Sequence, residues 1–103
     1  LSQCPNVVVK LGGLGMPICG FDFHKQERPP SSEACAQAWK PYLLHCIESF
    51  GPSRCMFESN FPVDKRSCSY TVLWNAFKRV AEGFSDSEKA DLFCGTAVRT
   101  YRL

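Results

Sequence analysis

Arg54-Cys55-Met56-Phe57-Glu58-Ser59-Asn60-Phe61-Pro62-Val63-Asp64 runs from a short apolar core into three polar residues and a proline. An apolar strand that gives way to Glu58, Ser59 and Asn60 has the character of the carboxyl end of a parallel strand, where polar side chains can face a substrate. Upstream, Asn6-Val7-Val8-Val9-Lys10-Leu11 is a second short β-branched run, bounded by Pro5 and by Gly12-Gly13-Leu14-Gly15, and reads as a buried strand entering a tight loop. Met16 to Pro30 is loop-like, broken by Pro17, Gly20, Pro29 and Pro30, and a loop of this length inside a compact domain is usually functional. Ser31 or Ser32 then caps a helix along which Ala36, Trp39, Leu43 and Ile47 repeat until Gly51-Pro52. Pro41 removes one backbone donor inside it and predicts a kink or local break between Gln37 and Pro41. Two parallel strands joined by a helical crossover form a βαβ unit, so the fold class is α/β.

Beyond the decisive stretch, Tyr70, Leu73, Trp74, Phe77 and Val80 or Ala81 make an apolar stripe closed by Gly83. Ser85-Asp86-Ser87-Glu88 is a capping box that opens a last helix running to Phe93, with a short turn after Gly95. A two-stranded sheet is marginal alone, so more strands are expected on at least one edge. At 103 residues the chain has the size of one domain but falls far short of the roughly 250 residues of a closed eight-unit β/α barrel, and has room for about two such units.

Hydrophobic residues at 45% and charged residues at 21% are ordinary for a globular chain and exclude disorder and coiled coil. The formal charge of +2, with the twelve Lys and Arg scattered, gives no basic face for a phosphate backbone, so no nucleic acid partner is expected. No apolar run approaches the roughly 20 residues needed to span a bilayer, and no membrane partner is expected. Leu1-Ser2-Gln3-Cys4-Pro5 lacks an initiating Met and a charged-then-apolar leader, and reads as a start inside a longer protein. The seven cysteines are odd in number, and none are in Cys-x-x-Cys spacing; most sit among apolar neighbours and read as free thiols in a reducing compartment, the cytoplasm, with a secreted disulfide scaffold as the alternative.

For chemistry, Glu58 and Asn60 lie two apart and on an extended strand share a face, with Ser59 turned away. They either reach a substrate together, or Glu58 pairs with a base while Asn60 caps the turn before Pro62. Asp64 reads as a loop or solvent residue. Lys10 ends an apolar strand; a buried lysine there needs a carboxylate, for which Glu58 is the nearest choice, or an anionic ligand. His24 lies in the long loop and is a candidate substrate contact, whereas His45 beside Cys46 reads as a surface or packing residue. The two histidines show no metal-binding spacing, so this chain builds no histidine zinc site of its own. The glycines Gly12 to Gly15 fit neither a dinucleotide nor a phosphate-loop pattern and permit a tight turn.

Pro5 to Leu14 followed by Phe50-Gly51-Pro52-Ser53-Arg54-Cys55-Met56-Phe57-Glu58-Ser59-Asn60-Phe61-Pro62-Val63 resembles the carboxyl-terminal part of the amidohydrolase-related family, which includes sugar lactonases and the pyrone-dicarboxylate lactone hydrolase. Ser87 to Leu103 is similar to its closing helices, so residues 1–103 resemble one carboxyl-terminal segment of a single barrel domain. The resemblance implies a (β/α)8 TIM barrel, with Val7 to Leu11 as seventh strand and Arg54 to Phe57 leading to the end of the eighth. The strands that carry the family's histidines would then lie outside these residues. It further implies hydrolysis of a lactone, ester or amide by water attack on a carbonyl carbon, a small-molecule carbonyl substrate, and a divalent metal such as zinc in the complete protein, although lactone-opening members can work without metal. Asn60 stands where the family's eighth-strand pattern Gly-Ser-Asp-Trp-Pro has its acid, and a neutral amide is neither a general base nor a source of negative charge, so that role would pass to Glu58 or Asp64, or the chemistry would use another arrangement. The expectation is therefore that Glu58 and Asn60 position or activate water, Lys10 holds or polarises an anionic group, and His24 contributes from its loop, while no cofactor is evident in this chain. The isolated chain is expected to be inactive. The alternative is a non-catalytic binding or assembly module derived from such a barrel, and the apolar strand faces predict self-association, as a homo-oligomer, or pairing with a partner.

Overall fold

The computed structural model describes residues 1–103. Strand β1 (Val9–Leu11) leads through 3-10 turns at Pro17–Cys19 and Phe23–Lys25 to helix α1 (Ser32–Phe50). A 3-10 turn at Pro52–Arg54 enters β2 (Cys55–Phe57), and another at Val63–Arg66 precedes α2 (Tyr70–Val80). The chain closes with α3 (Asp86–Ala90), a π-type turn at Asp91–Gly95 and α4 (Thr96–Tyr101). No helix is long and apolar enough to cross a membrane.

The two strands pair in parallel, with Val9 opposite Cys55, Lys10 opposite Met56 and Leu11 opposite Phe57, so the helical crossover makes the expected βαβ unit. Glu58 N–H donates to the Leu11 carbonyl at 3.1 Å, which carries the ladder one residue past β2. Because side chains alternate along a strand, Leu11, Cys55 and Phe57 point into the helical core while Lys10 and Met56 take the opposite face. That core joins Trp39, Leu43 and Ile47 of α1 to Leu73, Phe77 and Val80 of α2. Phe57 stacks on Phe77 with centroids 4.5 Å apart and meets Phe93 at 4.9 Å, so β2 is clamped between α2 and the π-type turn.

Caps set the helix starts. Ser31 accepts from Ala34 N–H, Ser69 from Val72 N–H, and Ser85 and Glu88 form a reciprocal capping box. In that box, backbone and side-chain hydrogen bonding from Ser85 holds the Glu88 carboxyl below the usual carboxylate range. Helix α1 is continuous through Pro41, against the expected break: Pro41 is exposed, and the buried Trp39, Leu43 and Ile47 anchor the helix on both sides of the missing donor. Gly51, at φ +84°, ends the helix.

The first strand is shorter than its β-branched run. Arg54 takes the preceding backbone for itself, donating to the carbonyls of Ser2 (2.7 Å), Cys4 (2.9 Å) and Val7 (3.3 Å), and its Nε donates to Phe50 (3.1 Å). The last helix does not stop at Phe93. Gly95 keeps a helical φ of −58°, and Arg99 bridges the π-type turn to Asp91 at 3.0 Å. Thr96, buried, donates to the Pro52 carbonyl and ties α4 to the entrance of β2.

Candidate functional site

Both loops that leave the carboxyl ends of the strands converge on one residue, Asp64, whose exposure is 0%. Its Oδ2 accepts Gly15 N–H (3.1 Å) from the loop after β1, and its Oδ1 accepts Asn60 Nδ2 (2.7 Å) from the loop after β2. Ser67 Oγ donates to the Gly15 carbonyl at 2.6 Å, closing the same junction from the other side. A side chain at Gly15 would press on the Asp64 carboxylate, so the loops meet only because Gly15 has no Cβ. Asp64 is therefore a buried structural acid and not the solvent residue the sequence suggested; the carboxylate is removed from water because two loops supply its donors.

Glu58 and Asn60 belong to the same network. The strand ends at Phe57 and Asn60 has φ +54°, so alternation does not govern their relation. Instead the Glu58 side chain curls back, and its Oε2 accepts Asn60 N–H at 2.7 Å. The Glu58 carboxylate lies over Gly12, where a Cβ would overlap it. From one loop to the other, Gly15, Asp64, Asn60 and Glu58 form one continuous chain of hydrogen bonds across the strand ends. Buried polar chains of this kind hold their members in one geometry.

Lys10 is exposed, which corrects the reading of a buried lysine: it lies on the sheet face away from the helical core, where its neighbour Met56 is buried but Lys10 reaches solvent. It forms no ion pair with Glu58, whose Oε2 is committed to Asn60; the ion pairs are Lys25 with Asp22 (3.5 Å) and Arg99 with Asp91 (3.0 Å). His24 is half-buried on the turn Phe23–Lys25 and lines a cleft of about 450 Å³ with Lys65, Arg66, Ser67 and Cys68. That cleft includes none of Lys10, Glu58 and Asn60, so His24 stands apart from them. His45 is exposed on α1.

All seven thiols are free. Cys35 and Cys68 lie against each other between α1 and the start of α2; their mutual hydrogen bond, with burial added, pushes the Cys35 thiol up, and the same bond holds Cys68 below its ordinary value against the opposing effect of burial. Burial pushes Cys55 up to about 11. No group of three or more His, Cys, Asp or Glu side chains converges on a point where a metal ion could be held. With Asn60 neutral and both histidines elsewhere, these residues do not fit a self-contained metal centre.

Sequence reasoning named Asp64 only as an alternative to Glu58 for the acid's role and missed its burial, and it missed Ser67 altogether. Both meet Gly15 about fifty residues away, a contact that no local pattern signals.

A crystal structure of an amidohydrolase from Burkholderia multivorans with bound zinc resembles this chain with a TM-score of 0.83 and 33% identity, over 100% of this chain and 34% of that one. A second, of an amidohydrolase from the same organism with bound HEPES, gives 0.82 and 34%, again over 34% of its length. The uncharacterized protein y4mH of Sinorhizobium fredii is 41% identical over 103 residues, which is 100% of this chain and 30% of that protein. The L-fucono-1,5-lactonase of Burkholderia multivorans is 34% identical over 104 residues, 100% of this chain and 33% of the lactonase. The chain thus spans about a third of the length of these relatives. The amidohydrolase family model matches residues 1–103, and the chain belongs to that family.

Proposed function

We propose that this chain supplies the last two β/α units and the closing helices of a (β/α)8 barrel hydrolase, and that the complete protein opens a lactone or cleaves an ester or amide by water attack on the carbonyl carbon. The observation that carries this reading is the polar network of Glu58, Asn60 and Asp64 at the carboxyl ends of two parallel strands, in a chain that matches the family from end to end. Barrel enzymes place their chemistry at that end of the strands. The lactonase relative favours a lactone, a small carbonyl-centred substrate, and favours an enzyme over a non-catalytic module.

In this reading Glu58 is the titratable group of the site. Its Oε2 is held by Asn60 N–H, and its carboxylate lies over Gly12, whose missing side chain leaves room for it at the strand ends. Asn60 is not titratable, and its role is to position. Lys10, on the sheet face shared with Met56, holds an anionic or carbonyl oxygen. His24, in a separate cleft with Lys65 and Ser67, is given no part in this chemistry. A zinc ion in the complete protein would polarise the carbonyl or activate water, and its ligands would come from outside these residues. The seven free thiols support a cytoplasmic setting.

The test is hydrolysis of sugar 1,5-lactones by the full-length protein, followed by acid release. Glu58→Gln should lower kcat by roughly 100-fold or more with the far-ultraviolet spectrum unchanged. Absence of turnover across lactones, esters and amides, or an unaffected Glu58→Gln variant, would sink the assignment.

A further inference from the structure

Asn60 is held at three of its polar atoms. Its N–H donates to Glu58 Oε2, its carbonyl accepts Asp64 N–H at 3.1 Å, and its Nδ2 donates to Asp64 Oδ1 at 2.7 Å. A carboxylate only accepts, so the carboxamide must turn its nitrogen to Asp64. The opposite orientation would set two acceptor oxygens against each other. Asp64 cannot rotate to relieve that clash, because its other oxygen satisfies the buried Gly15 N–H. What remains is the Asn60 Oδ1, which accepts from no group in the chain.

We infer that Asp64 is a positioning residue that fixes the polarity of the Asn60 carboxamide, so that its Oδ1 is turned away from Asp64 and left free to accept a hydrogen bond from a substrate hydroxyl. The inference rests on the reading that these strand ends face substrate. It adds a substrate feature, a hydroxyl beside the reacting carbonyl, and gives the buried Asp64 carboxylate a part in recognition although it does not touch substrate. The class that fits is a hydroxylated lactone or hydroxy ester.

Asp64→Asn in the full-length protein tests this, because the two side chains match in size. In that variant the carboxamide oxygen at position 64 would keep the Gly15 bond, its nitrogen would face Asn60, and Asn60 would turn over to present nitrogen outward. In wild type, one Asn60 side-chain amide proton should exchange with solvent at least tenfold more slowly than its partner in nitrogen-15 spectra. In D64N that protected Asn60 proton should be lost. This arm needs no substrate, so it stands even if lactone turnover is not found. Two rapidly exchanging Asn60 amide protons in wild type would overturn the inference, whether or not the variant folds.

With a turned-over substrate, D64N should raise KM about tenfold for a hydroxylated lactone, the equivalent of one lost hydrogen bond. KM for the deoxy analogue should not move. The exchanged pair Asn60→Asp with Asp64→Asn keeps both hydrogen bonds with an acceptor at position 60, and should restore KM. Equal losses on both substrates, or no recovery in the exchanged pair, would mean that Asp64 is only structural and would overturn the substrate role.

Discussion

Arg54 shows how one side chain can decide where a strand begins. Its guanidinium collects the carbonyls of Ser2, Cys4 and Val7, groups that a longer β1 would have turned toward a neighbouring strand, and the same guanidinium lies over Phe50, its carbon 5.2 Å from the ring centroid. A planar five-donor fork can serve several carbonyls at once, which a lysine cannot. Arg54→Met keeps an unbranched apolar stem of similar length and removes the donors and the charge over Phe50. It should cost about 2 kcal/mol in urea unfolding, since each charged hydrogen bond contributes roughly 1.5–3 kcal/mol and partial exposure weakens these. It should also open residues 1–7 to proteolysis. An unchanged midpoint with an unchanged digestion pattern would show that the three contacts hold nothing.

At the scale of elements, α1 carries its own flaw. An interior proline costs a helix about 3 kcal/mol against alanine, and α1 tolerates Pro41 because Trp39, Leu43 and Ile47 are buried on either side. Pro41→Ala restores a donor at an exposed position, and should raise stability by about 1–3 kcal/mol in urea unfolding. No gain would mean that the helix is already parted there. The same element shows what could be read in advance. The caps Ser31 and Ser85 and the stripes of Trp39 to Ile47 and Leu73 to Val80 are local patterns of period 3.6, and they appear in the structure where the sequence put them. The strand lengths and the π-type turn were not legible. Arg54 acts across 47 to 52 residues, and Gly95, read as a stop, stays helical because Arg99 and Asp91 close around it. The site divides in the same way. Glu58 and Asn60 announce themselves as polar residues ending an apolar strand, whereas the burial of Asp64 depends on Gly15, 49 residues away, and no local pattern reports such a contact.

The whole molecule has a helical layer on one side of a sheet that has only two strands. Its radius of gyration, 13.6 Å, is close to the roughly 13 Å expected of a compact domain of this length, so the helices close a core around one sheet face. Both outer edges of the β1 and β2 pair stay unpaired, and Lys10 stands on the face the helices do not cover. A two-stranded parallel sheet is marginal, and free edges recruit further strands. Residues 1–103 by themselves should therefore sediment as dimers or larger species at micromolar concentration. Lys10→Glu should change this little, because edge pairing uses backbone groups and not the face. Supplying the rest of the proposed barrel in trans should convert the population to a one-to-one complex, since in that proposal it would carry the strands that match both edges. A monodisperse monomer at every concentration would show that the helices alone complete the fold, and would remove the main physical reason to place this sheet inside a larger barrel.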